Sequence, residues 1–127
     1  MVRTNGGDAA VKDDRVYLRY IAESLRRVGE YLTDSTGARS QDLFFNDLRT
    51  QDAVLRRIKT LADAASHLSP ALRARYPDIA WREIGDFRNV LAHGYTNLHL
   101  DLVWETITAD LPQLLDTVDS ELADEPS

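Results

Sequence analysis

The stretch Val54-Leu55-Arg56-Arg57-Ile58-Lys59-Thr60-Leu61-Ala62-Asp63-Ala64-Ala65-Ser66-His67-Leu68 decides the fold. Its apolar stripe, Val54, Ile58, Leu61, Ala65 and Leu68, recurs at spacings of four, three, four and three, the period of an α-helix with one buried face. Leu55, Ala62 and Ala64 widen that face, and the small alanines permit close approach of a neighbouring helix. Arg56, Arg57 and Lys59 fall on the opposite side, and His67 sits in the last turn, where an imidazole interacts well with helix carbonyls.

The same period appears on either side of this helix. Upstream, Leu18, Ile21, Leu25, Val28 and Leu32 predict an amphipathic helix from about Ala9 to Leu32, with Asp8 as N-cap and Thr33-Asp34-Ser35-Thr36-Gly37 as its terminating turn. Gln41-Asp42-Leu43-Phe44-Phe45 predicts one helical turn whose aromatics cover the core, followed by a cap at Asn46 or Asp47. Downstream, Ser69-Pro70 starts a short turn and Tyr76-Pro77-Asp78 breaks the chain, with Asp78 expected to cap a helix carrying Trp81, Ile84, Phe87 and Leu91. That helix is expected to end near Ala92-His93, with Gly94 as its left-handed terminator. A last helix from near Asp101 buries Val103 or Trp104, Ile107, Leu111, Leu114 and Val118, and Pro112 should kink or interrupt it. Strand-period alternation is confined to Leu98-His99-Leu100-Asp101-Leu102. The expected architecture is an all-α bundle of four main helices. Its domain covers residues 9–118, after a flexible N-terminal tail at 1–8 and before an acidic C-terminal tail at 119–127.

Composition narrows the function classes. A chain of 127 residues is one ordinary domain with room for a real core. No run approaches the roughly 18 apolar residues of a membrane span, and the first residues lack the apolar stretch of a signal peptide, so a soluble cytoplasmic protein is expected. Without cysteine there is no thiolate metal site, and His67, His93 and His99 are too widely spaced for a helical metal-binding pair. No metal and no cofactor are expected.

The net charge of −6 hides an uneven distribution. Asp119, Glu121, Asp124 and Glu125 supply −4 of it, whereas Arg49 to His93 holds eight bases against five acids, a local +3. A modest basic surface that attracts phosphates fits that segment, and so does an ordinary solvated helix face.

Chemistry concentrates in Arg88-Asn89-Val90-Leu91-Ala92-His93-Gly94-Tyr95. Arg88 offers a planar donor fork suited to phosphate, and His93 is the side-chain type whose ordinary pKa lies near neutrality. Together they suit acid–base cleavage of a phosphodiester, with Asn89 orienting either group and the Tyr95 phenol free to bind, donate or be modified. On a continuous helix Arg88 and His93 lie about 140° apart and cannot share a face. Either the helix ends before His93, or a two-fold dimer brings two copies of the pair into one cleft. The structural alternative makes His93-Gly94 a helix C-cap and places Arg88 in an ion pair.

Arg88, four residues, His93, one residue, Tyr95 resembles the motif of the HepT toxins within the HEPN superfamily. Thr50-Gln51-Asp52-Ala53-Val54 with Arg56-Arg57-Ile58, then Tyr76 to Ile84, then Asp101-Leu102-Val103-Trp104, resemble that family in order and spacing over most of the chain. The resemblance implies an antiparallel four- to five-helix bundle, HEPN-like and homodimeric, with its site in the cleft. It implies a metal-independent endoribonuclease that arrests growth by cutting RNA, with Arg88 and His93 catalytic and Asn89 supporting. It also implies an MntA-type nucleotidyltransferase antitoxin as partner, which transfers AMP from ATP to Tyr95. Related proteins often show Gly-Glu-Ala where this chain has Ala62-Asp63-Ala64, so Asp63 is a shorter supporting carboxylate. Two other classes stay open: a non-catalytic nucleotide- or partner-binding helical module serving a nucleotidyltransferase, and a purely structural dimeric bundle.

Overall fold

A computed structural model of the chain describes the backbone of residues 3–92 and 99–124 and the side chains of residues 13–89 and 99–124. The described residues form helices α1 (Arg3–Tyr31), α2 (Gln41–Asn46), α3 (Leu48–Ser66), α4 (Pro70–Ala74), α5 (Trp81–Ala92), α6 (Leu100–Ala109) and α7 (Leu111–Ala123). The all-α bundle is as expected. Its centre is the contact between α1 and α3, with α5 packed on α3 and α7 on α1.

The periodic residues account for this arrangement. Leu18, Ile21, Leu25 and Val28 of α1, with Leu32 just past its end, meet Val54, Ile58, Leu61 and Ala65 of α3, with Leu68 just past its end, in one buried cluster. Each fully buried aliphatic side chain contributes roughly 1.5–3 kcal/mol of transfer free energy, so these two stripes alone outweigh local propensity in fixing the pair. Asp14, near the start of α1, accepts hydrogen bonds from the backbone N–H of Ser69 (2.7 Å) and from its hydroxyl (2.6 Å), just beyond α3. At the other end of the pair, Tyr31 lies beside Ala53 and Arg56, so the helices run antiparallel. Phe44 of α2 is fully buried and stacks on Trp104 of α6 at 5.6 Å between ring centroids.

Between α1 and α2 the chain reverses at Gly37, whose φ of 86° suits a residue without Cβ. Asp34 secures the reversal by accepting from the Thr36 N–H at 2.8 Å, the Thr36 hydroxyl at 2.5 Å and the Ala38 N–H at 3.2 Å. Those hydrogen bonds, the Thr36 hydroxyl first, hold its carboxyl below the ordinary aspartate value.

Three expectations need correction. α1 starts at Arg3, so the backbone of 3–8 is helical and Asp8 lies inside the helix where a cap was expected. Gly6 and Gly7 each cost about 1 kcal/mol relative to alanine, but a helix anchored by packing further along adds a hydrogen bond for every residue it extends. Asp78 does not cap α5. It lies in a turn closed by the Ile79 N–H donating to the Tyr76 carbonyl at 3.2 Å, and α5 begins at Trp81. Pro77 presets the backbone for that turn, which moves the helix start onward. Finally, the chain does not leave the bundle at 118: α7 continues through Ala123, and residues 119–122 are held by basic residues of other elements. Asp119 accepts from Arg26 at 2.6 Å, Glu121 from Arg75 at 2.8 Å, and the Leu122 carbonyl from Arg15 at 2.8 Å. Pro112 interrupts as expected, separating α6 from α7 and occupying the first turn of α7, where its missing N–H costs little.

Candidate active site

Arg88 projects from the later half of α5, off the apolar side formed by buried Ile84 and the partly buried Trp81 and Phe87. Asn89 is exposed beside it. From the adjacent helix α3, Asp63 reaches Arg88: its Oδ1 lies 3.5 Å from the Arg88 Nε. That is an ion pair longer than a good hydrogen bond. The side chains are 52% and 57% exposed, so it contributes little stability. Its effect is directional. A carboxylate on the inner nitrogen biases the guanidinium and leaves the terminal N–H groups of the fork to meet a phosphate.

Asp63 has a second neighbour. The His67 Nε2 lies 4.0 Å from its Oδ2, one turn further along α3. The imidazole is stacked on the Tyr17 ring of α1, with centroids 4.9 Å apart and planes 18° from parallel. A connected row of Tyr17, His67, Asp63 and Arg88 therefore spans three helices, α1, α3 and α5. The helix-end position expected for His67 holds, since it is the C-cap residue of α3. The link to Asp63 was not anticipated, although their four-residue separation on one helix is the signal for it.

Of the residues expected at the site, Arg88 and Asp63 are brought together, and Asn89 sits next to Arg88 in sequence without a described contact to either. His93, Gly94 and Tyr95 lie outside the described residues. Among the described residues no group of three or more His, Asp or Glu side chains gathers as a metal ion would require. What the arrangement offers is an oriented, half-exposed guanidinium one helical turn from the end of the described part of α5. That suits electrostatic stabilisation of an oxyanion such as a phosphodiester under attack.

A further polar cluster with shifted groups lies elsewhere, where Tyr76 donates a very short hydrogen bond to Glu121 and Arg75 donates to the same carboxylate. The bond to Glu121 raises the Tyr76 phenol, with burial adding to it. Burial pushes Glu121 upward, but hydrogen bonds from Tyr76 and Arg75 outweigh it and hold the carboxyl below its ordinary value. This cluster ties α7 to the α4–α5 connection, which gives it a structural role.

Residues 21–121 match a protein family described as ribonuclease HepT-like. A protein of Methanocaldococcus jannaschii named "Gamma-glutamylcyclotransferase and putative RNase" is 36% identical over 107 residues, 84% of this chain and 46% of that longer protein. A second protein of that organism, named "Putative RNase", is 25% identical over 89% of this chain and 90% of its own length. The "Probable ribonuclease HepT" of Thermococcus cleftensis is 30% identical over 77% of this chain and 86% of its own length. No solved structure matches the chain. Among the described residues no helix is long and apolar enough to cross a membrane.

Proposed function

The chain belongs to the HepT-like family of HEPN ribonucleases, and from that premise we propose that it is a metal-independent endoribonuclease acting as the toxin of a toxin–antitoxin pair. The observation that carries the chemistry is the Arg88 guanidinium held at its Nε by Asp63 on a neighbouring helix. In the proposed reaction the ribose 2′-oxygen attacks the adjacent phosphorus and the bond to the 5′-oxygen breaks. His93 moves the proton, taking it from the 2′-hydroxyl or giving it to the leaving oxygen, an effect of roughly 10²–10⁴-fold. Arg88 stabilises the crowded, doubly charged phosphorane. The products are a 2′,3′-cyclic phosphate and a 5′-hydroxyl. Asn89 orients a phosphate oxygen, and Asp63 positions Arg88.

The five-residue separation of Arg88 and His93 favours a homodimer, in which a two-fold axis brings both copies of the pair into one cleft. Sedimentation at the mass of one protomer at all accessible concentrations would remove that part of the proposal.

Regulation falls to Tyr95. A nucleotidyltransferase antitoxin of the MntA type transfers AMP to it: the phenol oxygen attacks the α-phosphorus of ATP and pyrophosphate leaves. The added phosphate repels RNA and fills the cleft. Incubation with ATP and the nucleotidyltransferase should raise the mass of the Tyr95 peptide by whole AMP units, and Tyr95→Phe should abolish the gain. An unmodified Tyr95 alongside normal growth on expression without the partner would instead favour a non-catalytic module that serves the nucleotidyltransferase. The proposed action on RNA places the protein in the cytoplasm.

A further inference from the structure

The outer face of α3 carries Arg56, Thr60, Asp63 and His67 at spacings of four, three and four, which places them in one stripe along the helix. The Asp63 end of the stripe meets Arg88 of α5. At the other end, Arg56 and Thr60 join Arg57 and the α1 residue Tyr31 around an open cavity of about 340 Å³. Arg56 to Asp63 is seven residues, a distance of about 10 Å along the helix axis.

Several features of this groove suit a phosphodiester strand. Neither Arg56 nor Arg57 has a carboxylate partner among the described residues, and no acid lines the cavity. Uncompensated charges in a concave site attract phosphates more strongly than the same charges paired on a flat surface. Arg57 is half-buried, so part of its stem is fixed by packing. Tyr31 is likewise half-buried and packed against the core, a firm aromatic wall on which a base or ribose can lie. The Thr60 hydroxyl donates to the Arg56 carbonyl at 3.0 Å, leaving the guanidinium groups and the phenol as the groove's donors. Two arginines beside a fixed aromatic ring is the combination that holds single-stranded nucleic acid without reading its sequence.

We propose that the groove formed by Tyr31, Arg56, Arg57 and Thr60 is a second phosphate subsite, which holds the single strand of substrate RNA next to the bond presented to Arg88. It rests on the ribonuclease reading and adds to it where the flanking strand runs: along the outer face of α3, with the groove a nucleotide or two from the scissile phosphate. The subsite sets affinity and register, whereas Arg88 acts on the reacting group.

The test uses the full chain and a fluorescein-labelled single-stranded RNA of about 12 nucleotides, within the usual span of such sites. Anisotropy gives the dissociation constant across a salt series, and a gel of the same mixtures reads cleavage. Arg56→Gln with Arg57→Gln should weaken binding about tenfold and reduce the slope of log affinity against log salt by about 1.4, the share of two single-strand phosphates. Arg73→Gln with Arg82→Gln removes the same charge from outside the groove and should leave both readings near wild type. An equal loss in both double variants would reduce the effect to net charge and overturn the subsite. So would unchanged binding by the groove variant, or a wild-type chain that binds no RNA, even if the wild type were found to cut RNA. The expected binding losses without any cleavage by wild type would keep the subsite and sink the ribonuclease reading alone.

Discussion

Arg88 and Asp63 show how much a single exposed ion pair can matter to chemistry while mattering little to folding. The pair is 3.5 Å long and more than half exposed, so water and salt screen it and its loss should cost no more than about 1 kcal/mol. Positioning is a different matter, because a displaced transition-state donor loses rate steeply with small errors of placement. Asp63→Ala is therefore expected to lower the turnover rate about tenfold, with little change in KM and a melting temperature within a few degrees of wild type. Asp63→Glu, which keeps the carboxylate on a longer stem, should recover most of the rate. Equal loss of stability and activity in both variants would make Asp63 a folding residue. The pair was legible in part: Asp63 stood out through the family resemblance, and Arg88 through its spacing to His93. The Tyr17 stack on His67 was not legible, since a contact between residues fifty positions apart in sequence depends on how α1 and α3 align.

At the scale of elements, the apolar stripes of α1, α3, α5 and α6–α7 could be read directly, because a period of 3.6 residues is a local property of the chain. Helix ends were harder. Asp78 has the residue type of a cap, yet Pro77 commits it to a turn, and Gly6-Gly7 looks like a break, yet the helix continues through it. Residues 119–123 read as an acidic tail because their basic partners are remote: Arg26 is 93 positions from Asp119, and Arg75 is 46 from Glu121. The Asp14–Ser69 link is the strongest such tie. Asp14 is only 7% exposed, and its loss strands the Ser69 N–H and hydroxyl, which also caps α4. Asp14→Ala should cost about 1–3 kcal/mol in urea unfolding. Ser69→Ala in the same background should cost far less than it does alone, and additive losses would show that the two do not act together.

The Glu121 cluster gives this level a pH dependence. Its folded carboxyl titrates below the ordinary 4.5, so the stability it contributes is complete above that value and is lost as pH falls through the lowered one. Tyr76 titrates above the ordinary 10.0, so its contribution is present below that value and is lost as pH rises through the raised one. Glu121→Gln should therefore lie below wild type in melting temperature between these limits and converge on it in acid. A constant offset across that acid range would contradict the assignment.

For the molecule as a whole, the bundle places a conditioned arginine, a basic groove and an aromatic row on faces of α1, α3 and α5, while α7 and the Tyr76–Glu121 cluster brace the opposite side of α1. Of the bases between Arg49 and His93, Arg56 and Arg57 line the groove and Arg88 forms the site, although the chain as a whole carries −6. An acidic protein can bind RNA when its positive charge is grouped in this way. The claim on which the rest depends is that this surface cuts RNA with Arg88 and His93 and without a metal ion. The most direct measurement is cleavage of single-stranded RNA by the purified chain in excess EDTA, with the product ends identified, for wild type, Arg88→Ala and His93→Ala. Wild type is predicted to cut and leave 2′,3′-cyclic phosphate ends, with each variant slower by about 10²–10³-fold or more and still folded. Variants that cut as fast as wild type, or cleavage that stops in EDTA and returns with a divalent cation, would contradict it.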